Sequence, residues 1–245
     1  MFNSLEIRFQ TAQSLPAPYA HFYTFTATTK PGGLAIDLAI TYPDRDAIDN
    51  DELEAEGFTR DDDYAWTGQL PANWQTAFAT LLTDTDLQPL PGDALPDTDD
   101  FWAITISEPD ETSETGYPQN ADDWQYLMQE LIQATYEADK RERPFELCYL
   151  DFRPAGDTEL YLTGSFARRD VTAELVQNRQ STRKTLKWTD LQRVMTAIYA
   201  VEFDPETSFN HPPKQDGHWL NLGSEEWYDL NEHADLQKLF RQLTQ

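Results

Sequence analysis

The sequence predicts an α+β protein built on antiparallel sheets, with helices packed on the sheets. Three observations lead to this fold class. Alternating apolar residues predict strands, two Pro-Gly turns predict hairpins, and apolar residues spaced three and four positions apart predict helices. Because a short turn joins only antiparallel neighbours, the two hairpins indicate antiparallel pairing.

The first half of the chain begins with strands. Residues 5–9 (LEIRF) alternate apolar and polar side chains and predict a first strand. Residues 21–29 and 34–42 predict two more, joined at Lys30-Pro31-Gly32-Gly33, where proline presets one turn position and glycine supplies a positive φ. The apolar run FWAITIS at 101–107 predicts another buried strand.

A second hairpin is predicted from strands at 145–152 (FELCYLDF) and 159–166 (ELYLTGSF). With one residue inserted at its turn, the two hairpins align, so that Ile36 matches Leu160 and Leu38 matches Leu162. This alignment predicts an internal duplication within one compact unit, 1–245. Its repeats would span about 19–107 and 120–204, with the C-terminal segment 205–245 packed on them. The alternative is two ordinary hairpins that share turn chemistry.

Four amphipathic segments predict helices. Pro71 suits the first turn of one helix, and Thr189 is expected to cap another. The clearest helix follows Asn120, a capping residue type, and ends before Pro144. A last helix is predicted after Asn231.

The 245 residues carry a formal net charge of −26, from 44 acids and 18 bases. Such a field repels nucleic acids and anionic membranes and attracts basic partners. No apolar run is long enough to span a membrane, and the first residues lack the pattern of a signal peptide. The single cysteine, Cys148, sits in an apolar run that predicts a buried thiol. One cysteine suits a reducing compartment, so we expect a cytoplasmic location.

Two windows of opposite charge follow the two hairpins. The acidic window, residues 44–63, has a net charge of −8, and its segment DNDELEAEGF predicts a short helix that ends at Gly57. The basic window, residues 168–193, has a net charge of +4. The windows either screen each other as solvated surface, or the basic window binds an acidic partner, a phosphate or a carboxylate ligand. The candidate residues of this basic patch are Arg168, Arg169, Arg179, Arg183, Lys184 and Lys187.

Nucleic-acid binding is not expected, because the rest of the chain, at −30, would oppose the approach of phosphates. No catalytic residues, metal site or cofactor are predicted either. The acidic window lacks the ligand order of an EF-hand, the histidines lack zinc spacing, and the glycines form no nucleotide-binding loop.

The irregular segment 209–228 is the best candidate for a ligand pocket, because its aromatic side chains must either fill the core or line a cleft. A proton-transfer pair of His218 with Glu225 or Glu226 would give such a pocket its chemistry. The candidate ligand-binding residues are His211, His218, Trp219 and Trp227.

The order of helix, strand, Pro-Gly turn, strand and terminal helix is similar in layout to small acidic immunity proteins that neutralise bacterial toxins. This resemblance implies an inhibitor rather than an enzyme. The net charge and the lack of a catalytic motif independently predict a soluble, acidic interaction module that is steered to a basic protein. The alternatives are a small-ligand binder or enzyme that uses 209–228, and association of two copies through an exposed hairpin edge.

Overall fold

The computed structural model describes residues 2–110, 112–154 and 156–244. It confirms a mixed α+β fold with antiparallel sheets and helices. The chain divides into two compact units, Met1–Thr135 and Tyr136–Gln245. No helix in the described part of the chain combines the length and the apolar character needed to cross a membrane.

The first unit contains a sheet of seven described strands and most of the longest helix. Its elements are β1 (Ser4–Gln10), β2 (Phe22–Lys30), β3 (Gly33–Thr41), α1 (Asn50–Ala55), β4 (Tyr64–Pro71), α2 (Ala72–Thr83), β5 (Leu87–Gln88), β6 (Phe101–Ser107), β7 (Ser113–Pro118) and α3 (Ala121–Ala138). The strand order is β4-β3-β2-β1-β6-β7-β5, with every neighbouring pair antiparallel.

Alternation along the strands of the first unit separates an apolar face from a polar one. Phe25 of β2 is fully buried and stacks on Phe78 of α2, with 5.5 Å between ring centroids. Phe78 lies 6.2 Å from the ring of Trp124 in α3, so both helices cover this face. The opposite, helix-free face is polar and exposed at Glu6, Arg8, Gln10, Thr24, Thr26 and Asp37.

The second unit is also a sheet with helices packed on one face, and it has six described strands. Its elements are β8 (Phe145–Phe152), β9 (Thr158–Ser165), β10 (Asp170–Gln177), β11 (Gln180–Leu186), α4 (Trp188–Tyr199), β12 (Gly217–Asn221), β13 (Trp227–Asp229) and α5 (Ala234–Leu243). The strand order is β11-β10-β9-β8-β12-β13. Leu147 and Tyr149 of β8 pack with α4 and α5 in the core, and Tyr149 stacks on Phe240 of α5 at 4.7 Å.

The two units share one order of elements. Apart from α1 and β5, each has a four-strand meander, a helix, two more strands and a second helix. In both sheets the first strand lies between the second strand and the first of the two later strands. By position, β1 therefore corresponds to β8, β2 to β9, and α2 to α4.

This correspondence differs from the alignment predicted from the sequence. The aligned hairpins are β2–β3 and β8–β9, which occupy different places in their sheets, so the matches of Ile36 with Leu160 and Leu38 with Leu162 gain no support. The C-terminal segment 205–245 supplies β12, β13 and α5. The repeat bounds of about 19–107 and 120–204 stay a prediction, as does their packing into one compact unit.

The helix starts differ in detail from the predicted caps. Pro71 closes β4 and precedes α2 instead of lying in its first turn. Lys187, rather than Thr189, precedes α4, where the Asp190 carboxylate accepts a hydrogen bond from the Lys187 backbone N–H at 3.2 Å. Asn120 directly precedes α3 as predicted, but its side-chain oxygen is buried and accepts no hydrogen bond there.

The two charged windows fold differently. The acidic window forms a 3-10 turn, α1 and a loop, all between β3 and β4. The predicted short helix is α1, and Gly57 follows it with a φ of 80°. The basic window instead forms the hairpin β10–β11 and the first turns of α4, a hairpin that the sequence does not predict.

Candidate functional site

A groove of about 480 Å³ lies on the helix-free face of the second sheet. In β8, side chains at even positions alternate with the core residues and therefore point to this face. Neighbouring strands add their own alternate residues. The lining residues that matter for its chemistry are Glu146, Cys148, Phe152, Glu159, Tyr161 and Trp227.

The floor of the groove is apolar. Cys148 is only 8% exposed and packs with Leu150 and Trp219, while Phe152 and Trp227 pack against this cluster. Burial, helped by the nearby Glu159 carboxylate, raises the pKa of the Cys148 thiol to about 12. The thiol is therefore protonated and unreactive at neutral pH, as its apolar sequence context predicts.

A carboxylate stands toward each end of this floor. Glu146 is exposed on β8, and Glu159 of β9 faces Leu150, which lies four residues further along β8. At roughly 3.3 Å per residue, the two positions are about 13 Å apart along the strand. Neither carboxylate forms an ion pair within the described residues, and the described lining contains no lysine or arginine.

Tyr161 lies beside Glu159 at one end of the groove. Its hydroxyl donates a hydrogen bond of 2.6 Å to Oε2 of Glu159, and its side chain is 42% exposed. Burial, together with this hydrogen bond, raises the pKa of Tyr161 well above its usual value. The hydroxyl consequently stays a donor and holds the carboxylate in place.

Residues 209–216, called the strap below, border the groove on its β12–β13 side. Phe209 exchanges two backbone hydrogen bonds with Trp227, at 2.9 and 2.8 Å. Its ring meets Trp219 edge to face at 5.3 Å, and Trp219 Nε1 donates to the carbonyl of Gln215 at 3.2 Å. Pro212 reaches the groove lining. The strap therefore covers Trp219 and leaves Trp227 at the groove wall.

The four predicted ligand-binding residues do not form one site. Trp227 lines the groove, and Trp219 lies beneath the strap with 1% exposure. His211 is an exposed residue of the strap. His218 points to the opposite face of β12, where its Nδ1 lies 2.9 Å from the hydroxyl of Tyr149. The structure therefore groups the two tryptophans and separates them from His218.

His218 belongs to a compact polar cluster at the core side of the sheet. Its Nδ1 is 3.5 Å from the Asp151 carboxylate, which also binds the Arg153 guanidinium. Burial lowers the pKa of His218, the Asp151 charge opposes that shift, and the charges of Arg153 and Arg241 reinforce it. The partners of His218 are thus Tyr149 and Asp151 rather than the expected Glu225 or Glu226.

Three arginines of the basic patch have local partners. Arg168 binds Asp170 with 3.0 Å between Nε and Oδ2, and the guanidinium of Arg169 lies 4.9 Å from the ring centre of Trp188. Arg183 binds Glu174 at 3.0 Å. These three guanidinium groups are therefore already engaged by side chains of the second unit.

The patch is also spread out. Arg169 and Arg179 lie at opposite ends of β10, which has eight residues and is therefore about 26 Å long. Arg183 and Lys184 are consecutive in β11 and point to opposite faces of the sheet, while Lys187 precedes α4. The six residues therefore do not converge on one ligand-sized point.

Sequence reasoning did not identify Glu146, Glu159 or Tyr161 as functional residues. The signal available was the run FELCYLDF, which has bulky side chains at both odd and even positions and so predicts a strand covered on both faces. The helix layer covers one face, and on the other face Cys148 and Leu150 pack with Trp219, which the strap covers in turn. The groove lies where the strap leaves the second face open.

Among the side chains that the structure describes, no group of three or more His, Cys, Asp and Glu residues is arranged to hold a metal ion. Comparison with protein-family models, with curated proteins and with solved structures finds no match to this chain.

Proposed function

We propose that this chain is a cytoplasmic, non-enzymatic interaction module that binds a basic protein. One observation carries the proposal. The groove of the second unit combines an apolar floor with Glu146 and Glu159, and no lysine or arginine belongs to its described lining. Such a surface complements a segment that is both apolar and positively charged.

The overall charge supports the same partner. A net charge of −26 attracts basic proteins over distances of up to about 10 Å at physiological salt, and further at low salt, and raises the rate of encounter. Encounter is then followed by contact in the groove, where the short-range fit decides which basic protein stays bound. The net charge thus sets the rate of association, and the groove sets how long the partner stays bound.

The acidic window adds to this field because its two bases are used internally. Arg45 is 2% exposed and pairs with Asp62, while Arg60 donates to the backbone carbonyls of Asp46 and Ile48 at 2.9 and 2.7 Å. Both guanidinium groups therefore order the loop, and most of the acids around them face solvent.

The test is a capture experiment followed by reconstitution. The immobilised chain is exposed to an extract of its native cells at low salt, and each retained protein is identified, purified and titrated against the chain. We expect a partner of basic isoelectric point whose affinity falls steeply as salt is added. A partner that is acidic, or whose binding does not respond to salt, would contradict the proposal.

A small-ligand function is the second candidate, favoured by the size of the groove. A volume of about 480 Å³ falls within the usual range of small-molecule sites. If this candidate is right, a thermal-shift screen will find a compound that raises the melting temperature, and Trp227→Ala will abolish the shift. His218→Ala serves as the control, because His218 lies on the opposite face of the sheet.

We also infer that the two units arose by internal duplication, with β1 to β4 matching β8 to β11. The shared order of strands and helices supports this inference. Superposition of β1–β4, α2, β6, β7 and α3 on β8–β11, α4, β12, β13 and α5 tests it. A common core that fits only after strands are reordered would count against duplication.

A further inference from the structure

We propose that the groove receives an extended segment of the partner in which two basic residues lie four positions apart, with an apolar residue midway between them. This proposal rests on the proposed function, since it specifies which segment of the basic protein makes contact. It assigns Glu146 and Glu159 to the two basic side chains and the floor at Cys148 to the apolar one.

The spacing follows from strand geometry. In an extended chain, side chains at positions i, i+2 and i+4 point to the same side, and positions i and i+4 are about 13 Å apart. The same distance along β8 separates Glu146 from Leu150, the residue that Glu159 faces. A partner segment lying along β8 thus brings its first and fifth residues to the two carboxylates.

The centre of the groove selects an apolar residue. Cys148 faces Tyr161 across the β8–β9 pair, midway between the two carboxylates. The Cys148 thiol is protonated, and Leu150 beside it is 3% exposed. A polar side chain placed here would give up water beside a floor whose one nearby hydroxyl, that of Tyr161, already donates to Glu159, whereas an apolar one gains about 25 cal/mol for each Å² that it buries.

The walls favour lysine and arginine in particular. Trp227 and Phe152 offer apolar surface to the aliphatic stems of these side chains, and Tyr161 offers an exposed aromatic ring. Because neither Glu146 nor Glu159 is paired with a described cation, a basic residue of the partner displaces no existing ion pair.

The first unit provides an internal comparison. Its helix-free face belongs to a sheet with the same strand order, yet that face presents Thr24, Thr26 and Asp37 to solvent. Arg8 places a cation on the strand that corresponds to β8. The shared strand order therefore does not by itself keep cations off the central strands of this face. In the second unit β8 and β9 carry none there, and Arg183 of β11, on the same face, is paired with Glu174. This arrangement fits a docking role.

The test uses nine-residue peptides with an N-terminal dye and the full-length chain. The reference peptide has lysine at its third and seventh positions, leucine at its fifth and threonine elsewhere. One variant peptide moves the second lysine to the sixth position, and another replaces leucine with glutamine, which keeps the net charge. We expect fluorescence anisotropy to give a Kd below about 1 mM for the reference peptide and at least a tenfold weaker Kd for both variants.

Matched protein variants locate the binding surface. Glu146→Gln and Glu159→Gln each remove one charge while keeping the size of the side chain, and each is expected to weaken the reference peptide about tenfold. Glu6→Gln removes the same charge from the helix-free face of the first unit and should leave the Kd unchanged. Unaltered circular dichroism of all three variants shows that the fold is intact.

Two results would overturn this inference. Equal Kd values for the three peptides would show that binding depends neither on the lysine spacing nor on the central residue. Equal effects of Glu6→Gln and Glu146→Gln would show that only the total charge matters. In both cases a basic protein that was captured and reconstituted would still bind the chain, so the proposed function would stand. Binding of an uncharged compound in the groove would instead favour the small-ligand function.

Discussion

The hydroxyl of Tyr149 and Nδ1 of His218 lie 2.9 Å apart, and their ring planes are within 2° of parallel. The two residues sit on β8 and β12, which are neighbours in the sheet although 69 residues separate these positions in the chain. Since burial raises the pKa of Tyr149 and lowers that of His218, the neutral forms of both side chains make this bond.

His218 is therefore expected to make stability depend on pH. Its folded pKa lies below the usual 6.5, so the unfolded chain takes up the proton first as the pH falls. The contribution of neutral His218 is complete above about pH 6.5 and is lost as the pH falls through the folded pKa. Urea unfolding of wild type and His218→Asn at several pH values measures it. Their difference in unfolding free energy should shrink toward low pH, and a constant difference would contradict the assignment.

Arg45→Ala should be strongly destabilising. Besides pairing with Asp62, the buried guanidinium donates to the carbonyls of Thr59 and Pro18 at 2.9 Å each and stacks at 4.0 Å over Tyr42. Removing it leaves these acceptors without their donor, at a cost of about 3 kcal/mol.

Arg8→Ala is the control for this change, because Arg8 is exposed on the helix-free face of the first sheet. Its expected cost is below about 0.5 kcal/mol. Chemical denaturation of both variants measures the contrast. Similar losses in the two variants would mean that the Arg45 contacts add little beyond the loss of a positive charge.

Gly32→Ala and Gly33→Ala should differ although the residues are adjacent. Gly32 has a φ of 86° and open space around its Cα, so alanine there costs about 1–2 kcal/mol of backbone strain. A Cβ on Gly33 would instead collide with the carbonyl oxygen of Leu70 in the paired strand β4. Gly33→Ala must push β3 and β4 apart, and its melting temperature should be clearly the lower of the two. Equal melting temperatures would be inconsistent with this close approach.

Glu137→Ala should destabilise the second unit. The carboxylate accepts hydrogen bonds from Ser165 Oγ at 2.5 Å and from the backbone N–H groups of Phe166 and Ala167 at 2.7 and 3.3 Å. Ser165 is fully buried, so its hydroxyl loses its acceptor without gaining water, and we expect a cost of about 2–3 kcal/mol in urea unfolding. Glu232→Ala, at an exposed site, should change stability by less than about 0.5 kcal/mol.

Strands that are apolar or that alternate between turn residues could be predicted closely from the sequence. The predicted strands 101–107 and 145–152 are β6 and β8, and the hairpin at Gly32 and Gly33 differs from β2–β3 by only one residue at each end. In these segments the local pattern and the tertiary environment favour the same structure. The helices could also be located, but their ends are less exact: α3 ends at Ala138, well before the predicted stop at Pro144, because Lys140 has a φ of 63°.

The hairpin β10–β11 could not be predicted because its signals are weak. Its two-residue turn is Asn178-Arg179, with φ values of 51° and 64° and no glycine to mark it. β11 is polar along most of its length, so charge rather than alternation dominates its sequence. The predicted alignment pairs β2–β3 with β8–β9, whereas position in the sheet pairs β1–β2 with β8–β9.

The groove could not be predicted for a different reason. Glu146, Tyr161 and Trp227 come from three strands and meet only through the strand order β9-β8-β12-β13. No local pattern encodes which alternate residues of separate strands share a face. The aromatic segment 209–228 supplies part of the groove lining, but the separation of Trp219 and Trp227 from His218 depends on the register of β12.

β11 is the outermost strand of its sheet, and it carries Arg183 and Lys184 on opposite faces. An exposed edge strand can recruit a second chain through its unpaired backbone groups, and charged side chains are a common protection against this. If two copies approached through β11, each would bring positive charge to both sides of the new strand pair. The strand that gives this acidic protein its most basic stretch thus disfavours self-assembly at that edge.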